Sequence, residues 1–421
     1  MNAAVTAVAH RTFAAMRFRN YRLYLGSQIV SFSGSWMQAL AQSWLVLQLT
    51  GSGTALGTVV ACQFIPTLLL SPYGGMVADR VDKRKLIMAT QAMAGLLALI
   101  LGVVTIAGAV ELWMVYVIAA GFGAVTAIDN PARQTFVMEM VGPDDLSNAV
   151  TLNSVAVNAA RIIGPAIGGV LIATLGVGQC FIFNAVSYLA VIVALQLVRR
   201  HELHPAIRAP RAPRQLREGF RYAWNQPTLR TTLVMLVLVG TFTFEFTVTL
   251  PLLTDTTFDA GAGGLAALSA LMGFGAVVGG LIVAATGAPT LRRLVATAAS
   301  FGTAMMVLAA APTMTAAYIT MPFVGAASIS MIALSNATLQ LNSHPMLRGR
   351  VMALFAMALI GTSPIGGPII GVIGEHVSPR AALAAGGIAA FVAAAFGLAT
   401  ALKHEHAVAD ELTTQPELVR T

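Results

Sequence analysis

The chain has 421 residues, of which 57% are apolar and only 10% are Asp, Glu, Lys or Arg. A soluble domain carries roughly 25% charged residues, so the composition excludes a water-soluble enzyme, a disordered chain and, with two cysteines, a disulfide-bonded secreted scaffold. The net charge of +8 would favour a nucleic acid partner in a soluble protein, but a mean hydropathy of +0.78 indicates a membrane protein.

Apolar runs recur along the chain at the length that a bilayer requires. A membrane helix needs about 20 mostly apolar residues. We predict an all-α membrane protein with twelve spans, at 22–49, 54–78, 86–108, 112–133, 147–175, 180–198, 230–253, 264–286, 294–311, 316–340, 351–374 and 381–402. The first run is too long and too rich in glutamine for a signal peptide, so we expect a retained helix.

The positive charges distinguish the two faces of the membrane. With the spans in order, 23 of the 25 lysines and arginines fall in tails and loops on one side. The exceptions are Arg161, inside the fifth span, and Arg380, on the far side. Because lysine and arginine concentrate in cytoplasmic loops, we predict a multi-pass protein of the cytoplasmic (inner) membrane with both termini in the cytoplasm. The basic net charge then requires no nucleic acid.

The segment 199–229 separates two groups of six spans. It is rich in Arg, Pro and His, and Leu216, Phe220 and Trp224 favour an amphipathic helix at the membrane surface. We therefore predict a six-helix half with its tail at 1–198, a cytoplasmic linker at 199–229, a second half at 230–402 and a cytoplasmic tail at 403–421.

Two pairs of similar segments support this division. Segment 129–134 of span four resembles 335–340 of span ten, and 164–169 of span five resembles 363–368 of span eleven. Each pair has the same depth and direction within its half. Parallel six-helix repeats occur in transporters that bind substrate near the membrane midplane, between the halves.

Several motifs resemble those of the major facilitator superfamily. Segment 75–84, G-M-V-A-D-R-V-D-K-R, is similar to the signature G-x-x-x-D-R-x-G-R-R between the second and third helices, except that Asp82 replaces a glycine. Segment 160–169, A-R-I-I-G-P-A-I-G-G, resembles the fifth-helix antiporter motif G-x-x-x-G-P-x-x-G-G, with Ala160 at the first glycine. Segments 129–136 and 348–354 resemble a multidrug and siderophore efflux subgroup that includes the enterobactin exporter.

The resemblance covers about residues 19–402 and implies twelve helices in two parallel halves, alternating access and proton-coupled efflux. It also implies a cytoplasmic gate that holds the halves together in the outward-open state, formed by Asp79, Arg80, Arg84, Asp129 and Arg133. The alternative for Asp129 and Arg133, which stand four residues apart on one helix, is an ordinary interfacial ion pair. We further expect helix bending and close packing at Gly164, Pro165, Gly168, Gly169 and Pro364.

Two charged residues lie deep within the predicted spans. Glu245 is about 15 residues into span seven, or ~22 Å along the helix, and Arg161 has a similar depth in span five. A charge at a helix centre costs at least ~2.5–3.5 kcal/mol, so such residues usually mark function or a structural pair. We predict that Glu245 carries protons and that Arg161 either helps to bind substrate or sets the pKa of Glu245. The alternative is a fixed structural pair, or an Arg161 held by backbone carbonyls.

Uncharged polar residues predict the walls of a substrate cavity. In span one they recur every three or four residues on one helical face, which should point into the bundle. With polar residues of spans five, seven and ten, the predicted cavity set is Gln28, Ser31, Ser35, Gln38, Gln42, Asn158, Thr241, Thr249 and Asn336. Met37, Phe64, Phe242, Phe246 and Met331 could add apolar walls. The alternative is hydrogen bonding between helices without substrate contact.

Other signals are negative. No G-K-[ST] loop for ATP exists, the His201–His204 segment lacks the spacing of a zinc motif, and no catalytic set is recognisable. We therefore expect no enzyme, metal, cofactor or ATP, and partners limited to a small molecule, protons and the lipid bilayer. The predicted function is proton-coupled export of drug- or siderophore-like molecules. The alternatives are a facilitator or importer on the same fold, and a transport-inactive scaffold or sensor.

Overall fold

The computed structural model describes residues 13–204 and 215–414, and every regular element in these two segments is a helix. The amino-terminal helices are α1 (Arg19–Thr50), α2 (Gly53–Arg80), α3 (Lys83–Ile106), α4 (Leu112–Thr174) and α5 (Val177–Gln196). The linker contains α6 (Gln215–Asn225). The carboxy-terminal helices are α7 (Pro227–Phe242), α8 (Phe246–Leu252), α9 (Gly261–Ala285), α10 (Leu291–Ala309), α11 (Met314–Leu341), α12 (Arg348–Ile360), α13 (Ser363–His376) and α14 (Pro379–Thr414).

The chain is a multi-pass membrane protein by the length and hydropathy of its helices. In the described residues, ten helical stretches are long and apolar enough to cross a bilayer. The stretch Leu112–Thr174 is counted once among them, and α1 is not counted. At 32 residues α1 is long enough, but its many serines and glutamines lower its hydropathy.

Helix α4 reverses direction at Gly142. Its 63 residues would extend about 94 Å if straight, which is far more than a bilayer is thick. Gly142 adopts φ 73° and ψ 177°, which divides α4 into α4a (112–141) and α4b (143–174). This backbone conformation is essentially restricted to glycine, and Pro143 supplies the fixed φ that suits a helix start. The loop expected at 134–146 is therefore helical on both sides of a one-residue break.

Contacts along the helices establish their relative directions. The ion pair Lys83–Glu139 and the hydrogen bond Thr90–Asp129 make α4a antiparallel to α3. Gly164 packs on Ser33 and Tyr21 bonds Ala149, so that α4b is parallel to α1. Both α1 and α3 are antiparallel to α5, so α1 and α3 are parallel to each other. Because α4a is antiparallel to α3 and α4b is parallel to α1, α4a and α4b run in opposite directions.

Two other predicted spans are interrupted. The seventh stretch breaks at residues 243–245, between α7 and α8, and Glu245 takes a non-helical conformation at the break. The eleventh breaks at Gly361 and Thr362, and Pro364 occupies the first turn of α13. Within the linker, the expected amphipathic helix is present as α6, with Phe220 and Trp224 stacked 5.3 Å apart. Helix α14 continues past residue 402 to Thr414.

Buried apolar side chains of the described residues form one large cluster and two small ones. The large cluster contains residues from both the amino-terminal and the carboxy-terminal helices, such as Met37, Phe181, Leu265 and Phe301. The amino-terminal cluster contains only residues before position 200: Tyr21, Tyr24, Phe136, Met140, Leu195 and their neighbours. The carboxy-terminal cluster contains only α6 and later helices: Ala223, Leu229, Leu236, Leu339, Val351, Phe355 and Ala358.

The amino-terminal helices α1–α5 and the carboxy-terminal helices α7–α14, which we call the two helix sets, meet closely at two places. Gly53 and Gly57 of α2 lie against Gly371 and Gly367 of α13, where the backbones approach so closely that a Cβ atom would collide. Gly169 of α4b likewise lies against Ala266 of α9. Small residues permit this approach of membrane helices.

Candidate transport cavity and charged clusters

A cavity of about 180 Å³ lies between the two sets of helices, and we name it the central cavity. Its walls come from α1, α4b, α8, α9 and α11 and from the break before α8. Most of its lining is apolar or aromatic, with hydroxyl groups from serine and threonine. Arg161 is the single ionisable residue among the lining side chains, which include Trp36, Ser43, Pro165, Phe244, Phe246, Thr247, Ser269, Met272 and Ser328.

A second cavity of about 350 Å³, the amino-terminal cavity, adjoins the first. The two share Trp36, Ala39, Ser43 and Thr247 as lining residues. Its polar wall includes Ser35, Gln38, Gln42, Gln63, Asn184 and Tyr188. Together the two cavities form a mixed apolar and hydrogen-bonding space at the contact between the helix sets.

The predicted polar stripe of α1 divides between two environments. Ser35, Gln38 and Gln42 line the amino-terminal cavity, where Gln38 accepts a 2.6 Å hydrogen bond from Asn184. Gln28 and Ser31 are fully buried elsewhere, and Gln28 accepts a hydrogen bond from Arg133.

The remaining predicted cavity residues are not among the lining residues of these two cavities. Asn158, Thr241 and Thr249 each donate to a backbone carbonyl of their own stretch, and Asn336 accepts from Gln340. A polar residue that can bond within its own helix need not face the cavity. Among the predicted apolar walls, Phe64 and Phe246 line the cavities.

Arg161 lies over an aromatic ring instead of beside an acid. Its Cζ is 4.8 Å from the centroid of Trp36, which is a cation–π distance. Its Nε is buried and has no hydrogen-bond partner in the described part of the chain. The expected alternative, a guanidinium bonded to backbone carbonyls, is not supported at this nitrogen.

Glu245 is buried at the break between α7 and α8, with 3% of its surface exposed. Its carboxyl faces α13, where Ser363 is a hydrogen-bonding neighbour and a Cβ at Gly366 would lie 3.2 Å from Oε1. Oε1 itself has no partner among the described residues.

The alternative of a fixed structural pair between Glu245 and Arg161 is not supported by this arrangement. No ion pair joins them within residues 13–204 and 215–414, and each contacts a different helix. The break in the backbone turns Glu245 towards α13, while its neighbours Phe244 and Phe246 face the central cavity. Similar depth in the sequence did not bring the two charges together.

Asp129 and Arg133 form a buried ion pair near the arginine-rich face of the protein. Asp129 also accepts hydrogen bonds from Thr90 at 2.5 Å and from Gln91 at 3.2 Å. Arg133 donates to Gln28 and lies 5.5 Å from the ring centroid of Phe32. The pair therefore joins α1, α3 and α4a, which an isolated interfacial pair would not do.

Asp79, Arg80 and Arg84 lie at a polar cavity of about 400 Å³ on the same face. Arg84 donates to the carbonyls of Leu195 and Gln196 at the end of α5. Lys83 forms a 2.5 Å ion pair with Glu139. The bonds named here for the predicted gate residues stay within the amino-terminal helices.

The glycines of the fifth-helix motif pack against neighbouring helices. Gly164 and Gly168 lie against Trp36 and Met37 of α1, and Pro165 lines the central cavity. The backbone stays helical through Gly164 and Pro165, since the non-helical residue inside α4 is Gly142.

Sequence reasoning missed two side chains that the fold places in contact with distant parts of the chain. One is Trp36, which adjoins the polar stripe of α1 and lies against the guanidinium of Arg161. The other is Glu375 at the end of α13, which accepts hydrogen bonds from Ser52 at 2.6 Å and from the Thr54 amide at 2.8 Å. No group of three metal-binding side chains occurs in the residues that the structure describes.

Many long apolar helices around a cavity between two helix sets define the class of membrane transport proteins. The family described as transmembrane secretion effector matches residues 10–419, and the chain belongs to this family of the major facilitator superfamily.

Named relatives are transporters. The chain is 28% identical over 240 residues to the staphyloferrin A transporter of Staphylococcus aureus, which is 56% of this chain and 60% of that protein. It is 29% identical over 222 residues to the multidrug efflux pump Tap of Mycobacterium tuberculosis, 50% of this chain and 52% of that one. It is 25% identical over 318 residues to the enterobactin exporter EntS of Shigella flexneri, 75% of both chains. The matches thus span about half to three quarters of these relatives.

Solved structures share the fold. A bacterial homologue of the human lysosomal transporter Spinster, inward-facing and occupied, aligns with a TM-score of 0.70 at 15% identity, over 90% of this chain and 96% of that one. The nucleoside transporter NupG gives a TM-score of 0.68 at 14% identity, over 91% and 98%. At such identities the likeness concerns the fold alone.

Proposed function

We propose that this protein exports small molecules across the cytoplasmic membrane by alternating access, driven by protons that enter in exchange. The observation that carries the proposal is the central cavity, which lies between two helix sets and contains one unpaired guanidinium. The names of the relatives, two efflux proteins and a siderophore transporter, support export of a drug- or siderophore-like molecule.

Twelve crossings follow if α1 and both segments of α4 span the bilayer. The ten candidate stretches count α4 once and omit α1. Because α4a and α4b are antiparallel, α4 supplies two crossings, and α1 supplies the twelfth. An even number places both termini on the arginine-rich side, which is the cytoplasm by the positive-inside rule.

The pairing of helices supports two equivalent halves, 1–198 and 230–402, with a linker at 199–229 and a cytoplasmic tail at 403–421. In the first half α2 packs on α4a, α3 on α5, and α1 on α5. In the second half the helices at the corresponding positions pair in the same way: α9 with α11, α10 with α14, and α7 with α14.

The distribution of buried apolar residues supports an inward-facing state. On the cytoplasmic side each half has its own cluster, so apolar packing there does not join the halves. Towards the opposite side, α2 packs on α13 and α4b on α9 through glycines. Substrate would reach the central cavity from the cytoplasm and leave after the extracellular contacts open.

Glu245 is the proposed proton carrier. It is buried, its Oε1 has no hydrogen-bond partner among the described residues, and it stands at the break between α7 and α8, next to residues that line the cavity. A proton taken up from outside would neutralise it and favour return to the inward-facing state. Since Glu245 faces α13, its charge can act on the contact between α13 and α2.

The test is transport into inside-out vesicles with an imposed pH gradient, using a panel of drugs and siderophores. We expect gradient-driven accumulation by the wild type and a loss of about tenfold or more in Glu245→Gln, in the range of removing one proton-transfer group. Glu111→Gln is the matched control, because Glu111 is an exposed acid that bonds Trp113 two residues away.

Each other outcome identifies an alternative. Equilibration without accumulation would indicate a facilitator, and accumulation in right-side-out vesicles an importer. No movement of any compound by a folded protein would favour a scaffold or sensor. Unchanged proton-driven export in Glu245→Gln would remove Glu245 from the mechanism.

A further inference from the structure

We infer that the central cavity selects organic anions with an aromatic or apolar body, whose carboxylate or sulfonate binds Arg161. The inference rests on the proposed export function and adds the chemical class of the substrate. The relevant observations are the charge of the cavity wall, the state of Arg161 and the surfaces beside it.

The wall of the central cavity carries a positive charge that no acid in the wall balances. Arg161 is the single ionisable residue among those that line it. Glu245 is close in sequence to the lining residues Phe244 and Phe246, but its carboxyl is directed at Ser363 and Gly366 of α13. A ligand that enters therefore meets one uncompensated cation in surroundings of low dielectric constant, where an opposite charge is favoured.

Arg161 retains unused hydrogen-bonding capacity. One face of its guanidinium lies against the ring of Trp36, at 4.8 Å from the centroid, and Nε is buried without a partner among the described residues. A guanidinium stacked in this way presents its N–H groups at the edge, and this planar fork matches two oxygens of a carboxylate or sulfonate. Trp36 thus holds Arg161 in a fixed plane without neutralising it.

The surfaces around Arg161 suit an apolar body. Trp36, Phe244 and Phe246 provide aromatic walls, and Met272 and Leu265 provide aliphatic ones. The amino-terminal cavity continues beyond Trp36 and Thr247 with amide groups, so a longer substrate could place polar substituents there. A cation of the same shape would be repelled by Arg161, and this repulsion supplies specificity.

The experiment compares two fluorescent probes that share one ring system. The anion is 1-anilinonaphthalene-8-sulfonate, and the neutral probe is N-phenyl-1-naphthylamine, which lacks the sulfonate. Both are titrated against the full chain in phosphatidylcholine nanodiscs, with empty nanodiscs subtracted. We expect Arg161→Gln to raise the Kd of the anion about tenfold or more, as for loss of a hydrogen bond to a charged group, and to change the neutral probe by less than about twofold. Arg22→Gln, which alters an exposed arginine on α1, should change neither.

A competition measurement on the wild type does not depend on how well the variant folds. We expect 1-naphthoate to displace the anionic probe, and 1-naphthylmethylammonium, with the same ring and the opposite charge, not to do so. The inference is overturned if both compounds compete equally, or if Arg161→Gln weakens both probes alike or neither.

The two proposals fail separately. Anion binding that depends on Arg161, in a protein that moves no compound in vesicles, would leave the anion site standing and remove export. Gradient-driven export of neutral or cationic compounds that 1-naphthoate does not inhibit would leave the export proposal standing and remove the anion site.

Discussion

Asp129 and Arg133 are held together by partners from two further helices, α1 and α3, although the two residues lie only four positions apart in the sequence. Asp129 is the counter-ion, Gln28 accepts from the guanidinium, and Thr90 and Gln91 donate to Asp129. The side chains of the pair are 8% and 14% exposed, so water does not replace a missing partner easily. Removing one partner of an ion pair in this position therefore lowers the free energy of unfolding more than removing one partner of an exposed pair.

Asp129→Asn should therefore lower stability markedly, because Arg133 would remain buried without its counter-ion. Breaking one partner of a buried pair costs on the order of 3–5 kcal/mol. The measurement is the apparent Tm of the purified protein by tryptophan fluorescence. The control is Arg17→Gln, which removes an ion pair with Asp145 whose arginine is 67% exposed and should change stability by less than about 1 kcal/mol. Equal effects of the two substitutions would contradict the role given to burial.

Gly142 is the second residue whose identity the fold requires. Its φ of 73° with ψ of 177° lies in a region that residues with a Cβ rarely adopt, and the reversal of α4 depends on it.

Gly142→Ala should destabilise the protein by about 1–3 kcal/mol, because the alanine would be strained at this φ and ψ. The readout is the yield of monodisperse protein and its Tm. Gly349→Ala is the matched control, since Gly349 lies near the start of α12 in open space with an ordinary φ. A normal yield for Gly142→Ala would mean that the reversal tolerates another backbone conformation.

At the level of helices, α13 is attached to the start of α2 on the face that we propose to be extracellular. The first amides of a helix lack partners within the helix, and a carboxylate placed there satisfies them. Glu375 takes this position, since it accepts from the Thr54 amide and from the Ser52 hydroxyl. The bond joins the amino-terminal helices to the carboxy-terminal helices next to the close contact of Gly53 with Gly371.

Glu375→Ala should shift the protein towards the outward-open state. The site is exposed, so we expect a modest effect of up to about 1 kcal/mol, or about a fivefold change in population. The rate at which a membrane-impermeant maleimide added outside labels a cysteine at Thr247, in a chain without Cys62 and Cys180, reports this change. Glu111→Ala should leave the rate unchanged, because the bond that Glu111 makes among the described residues is to the nearby Trp113, at the start of α4. An unaltered rate in Glu375→Ala would show that the glycine contacts alone keep this side closed.

At the level of the whole molecule, the proposed cycle exchanges one set of contacts between the halves for another. The bonds of Arg84, Lys83 and Arg133 stay within the amino-terminal helices, as expected for the proposed inward-facing state. The outward-open state would bring this face against the carboxy-terminal half and use Asp79, Arg80 and Arg84 across the contact.

Spin labels at Val81 and Met346 test this exchange. Both residues are exposed and lie in the proposed cytoplasmic loops, one in the amino-terminal and one in the carboxy-terminal part of the chain. In the wild type we expect a second, shorter distance population in electron paramagnetic resonance when outward-open protein is favoured. In Asp79→Asn this population should fall, together with transport, at normal expression. Persistence of the short distance in the variant would count against Asp79 as a gate residue.

The part of this architecture that could be predicted from the sequence is the part that local composition controls. Apolar runs of bilayer length predicted the helices, and the glycines of 160–169 predicted close packing. The break between the fourth and fifth spans was expected as a loop over 134–146, because these residues are fairly polar. That they are helical on both sides of Gly142 was missed. The break at Glu245 was missed because no glycine or proline marks it.

The candidate site was predicted only in part for a related reason. The residues that line the cavities include Ser35, Gln38 and Gln42, whose periodicity places them on one face. Periodicity cannot state the rotation of one helix relative to another, so Gln28 and Ser31 were assigned to the cavity although they are buried beside other helices.

The sequence by itself determined that this protein is a helical membrane protein with one basic face. The reason is that the free energy of placing a segment in a bilayer depends on that segment's own hydropathy and on the lysines and arginines beside it. Only the tertiary structure decided which charges meet. Asp129 and Arg133 gained partners from α1 and α3, Glu245 turned to α13, and Arg161 stacked on Trp36 without an acid partner among the described residues. The reason is physical: a backbone break or a small rotation of a helix redirects a side chain by several ångströms, and no property of the local sequence records that change.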